Sequence, residues 1–423
     1  MPEFSSGFHW YQRQNKVEKP VNFSGGAVFF SVLLFTWFLF ACLLCLQGFG
    51  LDTDAWLMAQ TAGRLRAGEG YDPARSFGNP VWEFCLAFLQ PDFEFRFSNG
   101  LNLMLAILFL WRLRRMVPEI SYQSYLIACC MFCLLPLFTE SASSSMELMS
   151  AWYLFLECLL AIRNKHRILL LLIALLLTFT RAEFSIFLFA AVLQNRPKSL
   201  PLLIPALAAL PFYIYWAYGK NPAPFQNIDE IIRFYAGRIW FLIQQAGPML
   251  PVYAGLLFLS LSQQHPLLKW PGRFALILFL MMPFEWAYAF PAFLSGILAA
   301  AEKTENKHIL WITAASLGSS LLFPHSGLPA IFLQRSRMME QFHQAESFKP
   351  LRNTLITDGA TFLPTRHSQW ERSHNNRLFR KKNSLLWVGE RLNKRELDSF
   401  RTAGFRICNL NRKNKSPWIL DNP

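Results

Sequence analysis

The chain has 423 residues, of which 53% are apolar, 16% aromatic and only 16% charged, where a soluble domain carries about 25% charged residues. Polar groups this sparse do not cover a water-facing surface, so a soluble enzyme, a disordered protein and a secreted disulfide scaffold are all disfavoured in favour of a polytopic membrane protein. Most of the net charge of +14 falls in residues 324–423, a balance that suits anionic lipid headgroups or glycans.

In chain order, residues 1–26 read as a short cytoplasmic segment with Arg13, Lys16 and Lys19. The apolar run 27–48 follows and reads as a retained anchor. Further apolar runs lie near 99–115, 121–138, 147–162, 167–180, 183–195, 199–217, 247–263, 273–289, 290–301 and 308–323. About eleven spans are predicted, several of them shorter than the roughly 20 residues of a simple crossing. Basic residues cluster in alternate loops, at Arg112/Arg114/Arg115, Arg163/Lys165/Arg167, Arg196/Lys198, Lys269/Arg273 and Lys303/Lys307. The positive-inside rule places those loops, and the N-terminus, in the cytoplasm. The expected fold class is therefore an all-α polytopic membrane bundle over 27–323, with an outer loop at 49–98 and a basic exported α/β C-terminal domain at 324–423. In that tail, helical stretches near 330–346 and 390–402 alternate with strand-like Asn353–Asp358, Ser384–Val388 and Phe405–Leu410. The eight Cys lie mainly in apolar runs and indicate neither a zinc site nor a disulfide framework.

The polar chemistry collects on the predicted outer side. Asp52 and Asp54 sit where the first span ends, ahead of a stretch to Arg66 whose spacing suits an interfacial helix with Trp56, Leu57 and Ala62 toward lipid. Either aspartate serves as a solvated helix cap or, at a water-poor interface where its charged form is disfavoured, as a general base. A metal-binding Asp-x-Asp for nucleotide sugars is disfavoured on a side without nucleotide sugars. The same loop carries Arg75, Asn79 and Glu83. Glu140 and Glu147 flank a serine-rich hairpin, and Thr180-Arg181-Ala182-Glu183 joins two short apolar runs, where a local ion pair is the plain alternative. Lys220, Asn221 and Tyr235 fall in or beside another interfacial loop. Four loops converging on one face make a site. Glu285 either lines the same cavity or pairs with an Arg of the tail, and Glu157 is read as packing with a buried hydrogen bond. There is no Gly-rich phosphate loop, HExxH or GxSxG, and the aromatic-basic mixture of the tail reads as a solvated or lipid-contacting face, with no nucleic-acid partner.

The order of these motifs resembles the GT-C superfamily of integral-membrane glycosyltransferases, which includes protein O-mannosyltransferases and bacterial arabinofuranosyltransferases. The resemblance rests on Asp52-Thr-Asp54-Ala-Trp56, Arg75-Ser-Phe-Gly78-Asn79-Pro80, Ser145-Met146-Glu147, Thr180-Arg181-Ala182-Glu183 (Ala where the family has Pro), Tyr218–Phe225 and Tyr288-Ala-Phe-Pro291, the last lacking a family Arg. It covers about residues 25–325. The resemblance implies transfer of a pentose such as arabinofuranose, or a hexose such as mannose, from a polyprenyl-phosphate donor to a hydroxyl of a glycan, lipid or protein. The reaction belongs to the extracytoplasmic face of a bacterial inner membrane. Asp54, or Asp52, would be the base of an inverting displacement; Arg75, Arg181 and Lys220 would meet the donor phosphate, and Glu83, Glu147, Glu183, Asn221 and Tyr235 the substrates. No metal or other cofactor is required, although some members of the superfamily use a divalent cation. A lipid-linked glycan flippase and a non-catalytic wall-binding subunit are the competing readings. A flippase calls for polar groups along the whole membrane path rather than at one face.

Overall fold

A computed structural model describes residues 25–51, 53–68, 71, 79–89, 95–204, 228–281, 286–302, 318 and 328–347, together with five short strands between 354 and 422. Asp52, Arg75, Lys220, Asn221, Glu285, the run 308–323, most of the run 199–217 and the helix expected near 390–402 lie outside the described residues.

The protein is mainly helical. Helix α1 (Gly25–Cys45) contains no charged residue in its 21 positions. Its exposed Val28, Val32, Phe35, Leu39 and Leu43 form an apolar stripe of the kind that faces lipid. Helix α2 (Thr53–Arg66) and α3 (Pro80–Leu89) pack together in the loop that follows α1. The structure corrects the orientation expected of α2, because Ala62 joins Ala55, Met58 and Ala59 in the buried core instead of facing lipid. Helix α3 falls where the sequence predicts only loop; its ten residues are too few to stand out as a span.

Helix α4 (Phe95–Met116) ends on Arg114 and Arg115, which favour the negative end of the helix dipole. Helix α5 (Tyr122–Leu134) starts at a Ser121 cap and breaks at Leu135-Pro136 into α6 (Pro136–Ser143). The bend is 75°, a consequence of the N–H that proline lacks and the clash its ring makes with the preceding turn. Helices α7 (Leu148–Asn164), α8 (Arg167–Thr180) and α9 (Phe184–Asn195) follow as an antiparallel run, closed by a 3-10 turn over Pro197–Leu203. Helices α10 (Ile228–Ala246) and α11 (Leu250–Leu261) join through Gly247–Met249, so that Tyr235–Leu261 forms one continuous apolar rod. Helix α12 (Lys269–Met281), a 3-10 turn (Trp286–Ala289), α13 (Phe290–Glu302) and α14 (Leu328–Ser347) complete the helices among the described residues.

Two of these, Ala27–Cys45 and Tyr235–Leu261, are long and apolar enough to cross a membrane, and the bent α5–α6 pair makes a third if counted as one span. Pro80–Leu89, Arg167–Thr180 and Phe184–Asn195 are apolar but shorter.

Small residues decide how closely the helices approach. A Cβ on Gly296 of α13 would lie 2.1 Å from the Leu256 carbonyl oxygen of α11, and one on Gly272 of α12 would lie 2.7 Å from Ser295 Oγ. Such contacts let apolar helices pack without a hydrophobic drive between them. The centre is aromatic: Trp152 stacks on Phe290 at 4.0 Å with 3° between the rings, and Phe109, Phe132, Phe138 and Phe184 surround them.

Five strands, β1 (Thr354–Thr357), β2 (Trp370–Arg372), β3 (Ser384–Val388), β4 (Arg406–Asn409) and β5 (Trp418–Asn422), form a mixed sheet in the order β2-β1-β3-β5-β4. β1 is parallel to β2 and β3, while β5 is antiparallel to β3 and β4, with Leu386 opposite Leu420.

Candidate functional site

The polar groups of several elements meet on the short segment 140–147, the end of α6 and the turn into α7. Of its four serines, Ser143, Ser144 and Ser145 are fully buried, and their small side chains let neighbouring chain come close. The Ser145 N–H donates to the Phe49 carbonyl at 2.6 Å. Gly50 (φ +139°) passes so near that a Cβ there would meet the Ser144 Cβ at 2.7 Å, and both the conformation and the space require glycine.

Helix α4 supplies two buried amides. Asn99 donates through Nδ2 to the carbonyls of Cys45 (3.1 Å) and Gly48 (2.7 Å), satisfying acceptors left open at the end of α1. Its Oδ1 accepts from Ser145 Oγ at 2.8 Å, and Ser145 Oγ is 2.6 Å from Ser98 Oγ. Asn102 donates to the carbonyls of Ser144 and Met146, both at 2.6 Å. From α3, the Trp82 indole donates to the Ser145 carbonyl at 2.8 Å, which ties the loop after α1 to the same hub.

Two buried ion clusters flank these amides. In the first, Arg335 of α14 is fully buried; it bridges to Glu140 Oε2 at 2.8 Å and donates to the carbonyls of Leu44 (3.0 Å) and Ser143 (2.7 Å). The other Glu140 oxygen accepts the Leu51 N–H at 2.8 Å. A tail arginine thus does enter the bundle, and its described partner is Glu140. The one hint in the sequence was an arginine set between apolar Ile331/Phe332 and Met338/Met339.

In the second, Arg181 caps the end of α8 and is 4% exposed. Its guanidinium meets Glu147 Oε1 at 3.2 Å, pairs through Nε with Glu183, and lies 5.4 Å from the Tyr288 ring centroid. The local pair with Glu183 is the one the sequence offered as the plain alternative; the long-range partner Glu147 and the aromatic face of Tyr288 are additional. Two carboxylates share one guanidinium, and carboxylate oxygens accept hydrogen bonds from hydroxyl donors.

Glu83, in the first turn of α3, is buried and accepts from the Tyr71 hydroxyl at 2.6 Å, with the Asn79 N–H at 3.5 Å. Asp54 lies in the first turn of α2. Tyr235 stands apart on α10, where its hydroxyl donates to the Met281 carbonyl at 2.6 Å. Glu157 lies just past the middle of α7 and carries the buried hydrogen bond expected of it as a two-point pair with Arg112, at 2.5 Å for each contact. Among the described residues no group of three His, Cys, Asp or Glu side chains is placed to hold a metal ion.

The structure therefore joins Glu147, Arg181 and Glu183 directly, and links them to the loop bearing Glu83 through the 143–147 backbone. No protein-family model, curated protein or solved structure matches this chain.

Proposed function

We propose that the protein is a multi-pass glycosyltransferase that takes a sugar from a polyprenyl-phosphate donor to an acceptor hydroxyl at the extracytoplasmic face of a bacterial inner membrane. The observation that carries this reading is the buried Glu147–Arg181–Glu183 cluster, joined by the serine-rich segment to the loop that follows the first span. Buried charge in an apolar bundle is costly and marks function by default. The eleven-span count, the cytoplasmic N-terminus and the exported α/β tail complete this reading.

Asp54 is the general base, with Asp52 the close alternative. It takes the proton of the acceptor hydroxyl as that oxygen attacks the anomeric carbon; the carbon–phosphate oxygen bond breaks, and the pair of electrons leaves on the polyprenyl phosphate. One displacement inverts the configuration. Arg75 and Lys220 meet the growing phosphate charge. Arg181, already engaged by two carboxylates, holds Glu147 and Glu183 for the sugar and supports the phosphate only indirectly. Glu83, Asn221 and Tyr235 complete the substrate surface.

The test is transfer of a labelled sugar from its polyprenyl-phosphate carrier to candidate acceptors by purified protein in detergent. Product forms without a sealed membrane, which a flippase does not achieve. Asp54→Asn lowers turnover by about 10²–10⁴ while donor binding persists. Turnover like the parent's in that variant overturns the assignment of the base.

A further inference from the structure

The link between α1 and α2 has no regular structure over residues 46–51, and two of its residues, Gly48 (φ 75°) and Gly50 (φ 139°), take positive φ values. A glycine-bearing link loses much freedom on folding, so other groups must hold it to one path. Side chains and backbone from other elements do so. Asn99 takes the carbonyls of Cys45 and Gly48, the Ser145 N–H takes that of Phe49, and Glu140 Oε1 accepts the Leu51 N–H at 2.8 Å. Leu51 stands two positions before Thr53, where α2 begins with Asp54 in its first turn.

The Leu51 contact leads back to the C-terminal tail. Arg335 of α14 lies with Nη2 at 2.8 Å and Nε at 3.1 Å from Glu140 Oε2, which turns Oε1 to the Leu51 N–H. Glycine at position 50 leaves room for that oxygen, since a Cβ there would lie 3.1 Å from it. Arg335 also donates to the Leu44 carbonyl, in the last turn of α1, and Gln47 Nε2 donates to Ser336 Oγ at 3.1 Å. Leu328 and Ile331 of α14 bury against Leu44 and Leu134, with Leu51 and Phe332 packed on the same cluster. Helix α14 therefore holds the link at its start, through Leu44 and Gln47, and at its end, through Leu51.

Apolar contact alone would fasten α14 to the bundle. A fully buried guanidinium adds charge where charge is costly, and its geometric effect is to aim one carboxylate at one amide.

We infer that Arg335 is a positioning residue for sugar transfer: acting through Glu140, it fixes Leu51 and with it the start of α2, so that the C-terminal tail holds the base in place. The inference rests on Asp54 being the base, as proposed above. Misplacing a reacting group by about 1 Å lowers the rate by about 100-fold.

The experiment compares two double variants of the full-length protein in detergent, Arg335→Met/Glu140→Gln and Arg335→Met/Glu140→Leu. Both lack the guanidinium and the buried carboxylate, and only the first keeps an oxygen for the Leu51 N–H. Arg335→Lys, which keeps the cation, is the milder third variant. Amide hydrogen exchange of the 46–52 segment reads the link, and transfer of labelled sugar, run well below each unfolding midpoint, reads kcat and KM. In the Glu140→Leu double, the Leu51 amide exchanges about tenfold faster, and kcat falls about 100-fold with the acceptor KM within about twofold of the parent's. The Glu140→Gln double and Arg335→Lys keep the protection of Leu51 and hold kcat within about tenfold of the parent's. Equal kcat in the two doubles, or a loss of kcat in any variant that keeps Leu51 protected, overturns the positioning role while sugar transfer stands. A parent chain that transfers no sugar overturns the base itself, and the positioning role with it.

Discussion

The two ends of α7 treat charge in opposite ways. At its start, Glu147 is fully buried and meets a guanidinium shared with Glu183. At its finish, about 25 Å away, Lys165, His166 and Arg167 are exposed around a cavity without an acidic lining. Charge at the first end is compensated inside the chain, so its geometry is held by the fold. Charge at the second stands at the surface of the bundle, where water and headgroups can reach it. Position explains the contrast: a carboxylate among aromatic rings and serines must bring its own counter-charge, whereas lysines at a helix end reach headgroups or water.

The comparison breaks most sharply if Arg181 is removed. Arg181→Met leaves Glu147 buried beside a lost cation, and we expect it to destabilise the protein by about 3–5 kcal/mol. Adding Glu147→Met recovers much of that loss, as read from thermal unfolding in detergent. A single variant as stable as the parent would mean that the first end is not charge-locked.

A smaller effect is expected from Asn99→Ala. That change opens the carbonyls of Cys45 and Gly48 and removes one partner of the Ser145 hydroxyl, at about 1–3 kcal/mol. The same measurement checks it, and transfer activity should fall with stability because the segment carrying Glu147 loosens.

The smallest effect belongs to the basic end. His265 lies in the loop between α11 and α12, where burial pushes its pKa below the usual imidazole value; Glu119 opposes that shift and Arg163 adds to it. A histidine with a depressed folded pKa contributes stability that is complete above its unfolded value near 6.5 and is lost as pH falls toward the folded value. Stability should therefore decline below that pH, and His265→Gln should flatten the decline. An unchanged pH profile in the variant assigns the slope to another group.

Much of the architecture was legible because apolar runs and their breaks are local signals. The expected runs 167–180 and 183–195 fall on α8 and α9, and Pro136 marks the bend between α5 and α6. The loops around Glu83, Glu147 and Arg181 could also be grouped, since charge beside apolar sequence is conspicuous. Pairing was not legible. Nothing in the spacing tells Arg335, nearly two hundred positions from Glu140, that it will close the end of α1, and long-range ion pairs leave no periodic trace. The orientation expected of α2 fails at Ala62 for a related reason: beside Trp56 and Leu57 it reads as a lipid contact, when its small size serves close packing with Ala55, Met58 and Ala59 within the bundle. The basic cavity was hidden because Lys165–Arg167 and Arg196–Lys198 looked like two loop signals for orientation, and only the antiparallel packing of α7, α8 and α9 brings them together.

The account depends most on the two ends of the bundle facing opposite compartments, with the carboxylate end outward. Single cysteines at Ala67 and Lys198, both exposed, test this when intact cells are treated with a membrane-impermeant maleimide and labelling is compared with that of the parent chain. Ala67→Cys should gain label in intact cells, and Lys198→Cys only after the membrane is permeabilised. Label on Lys198→Cys from outside, or on both positions from the same side, would contradict the account and return the aspartates of the first loop to a compartment where nucleotide sugars are present.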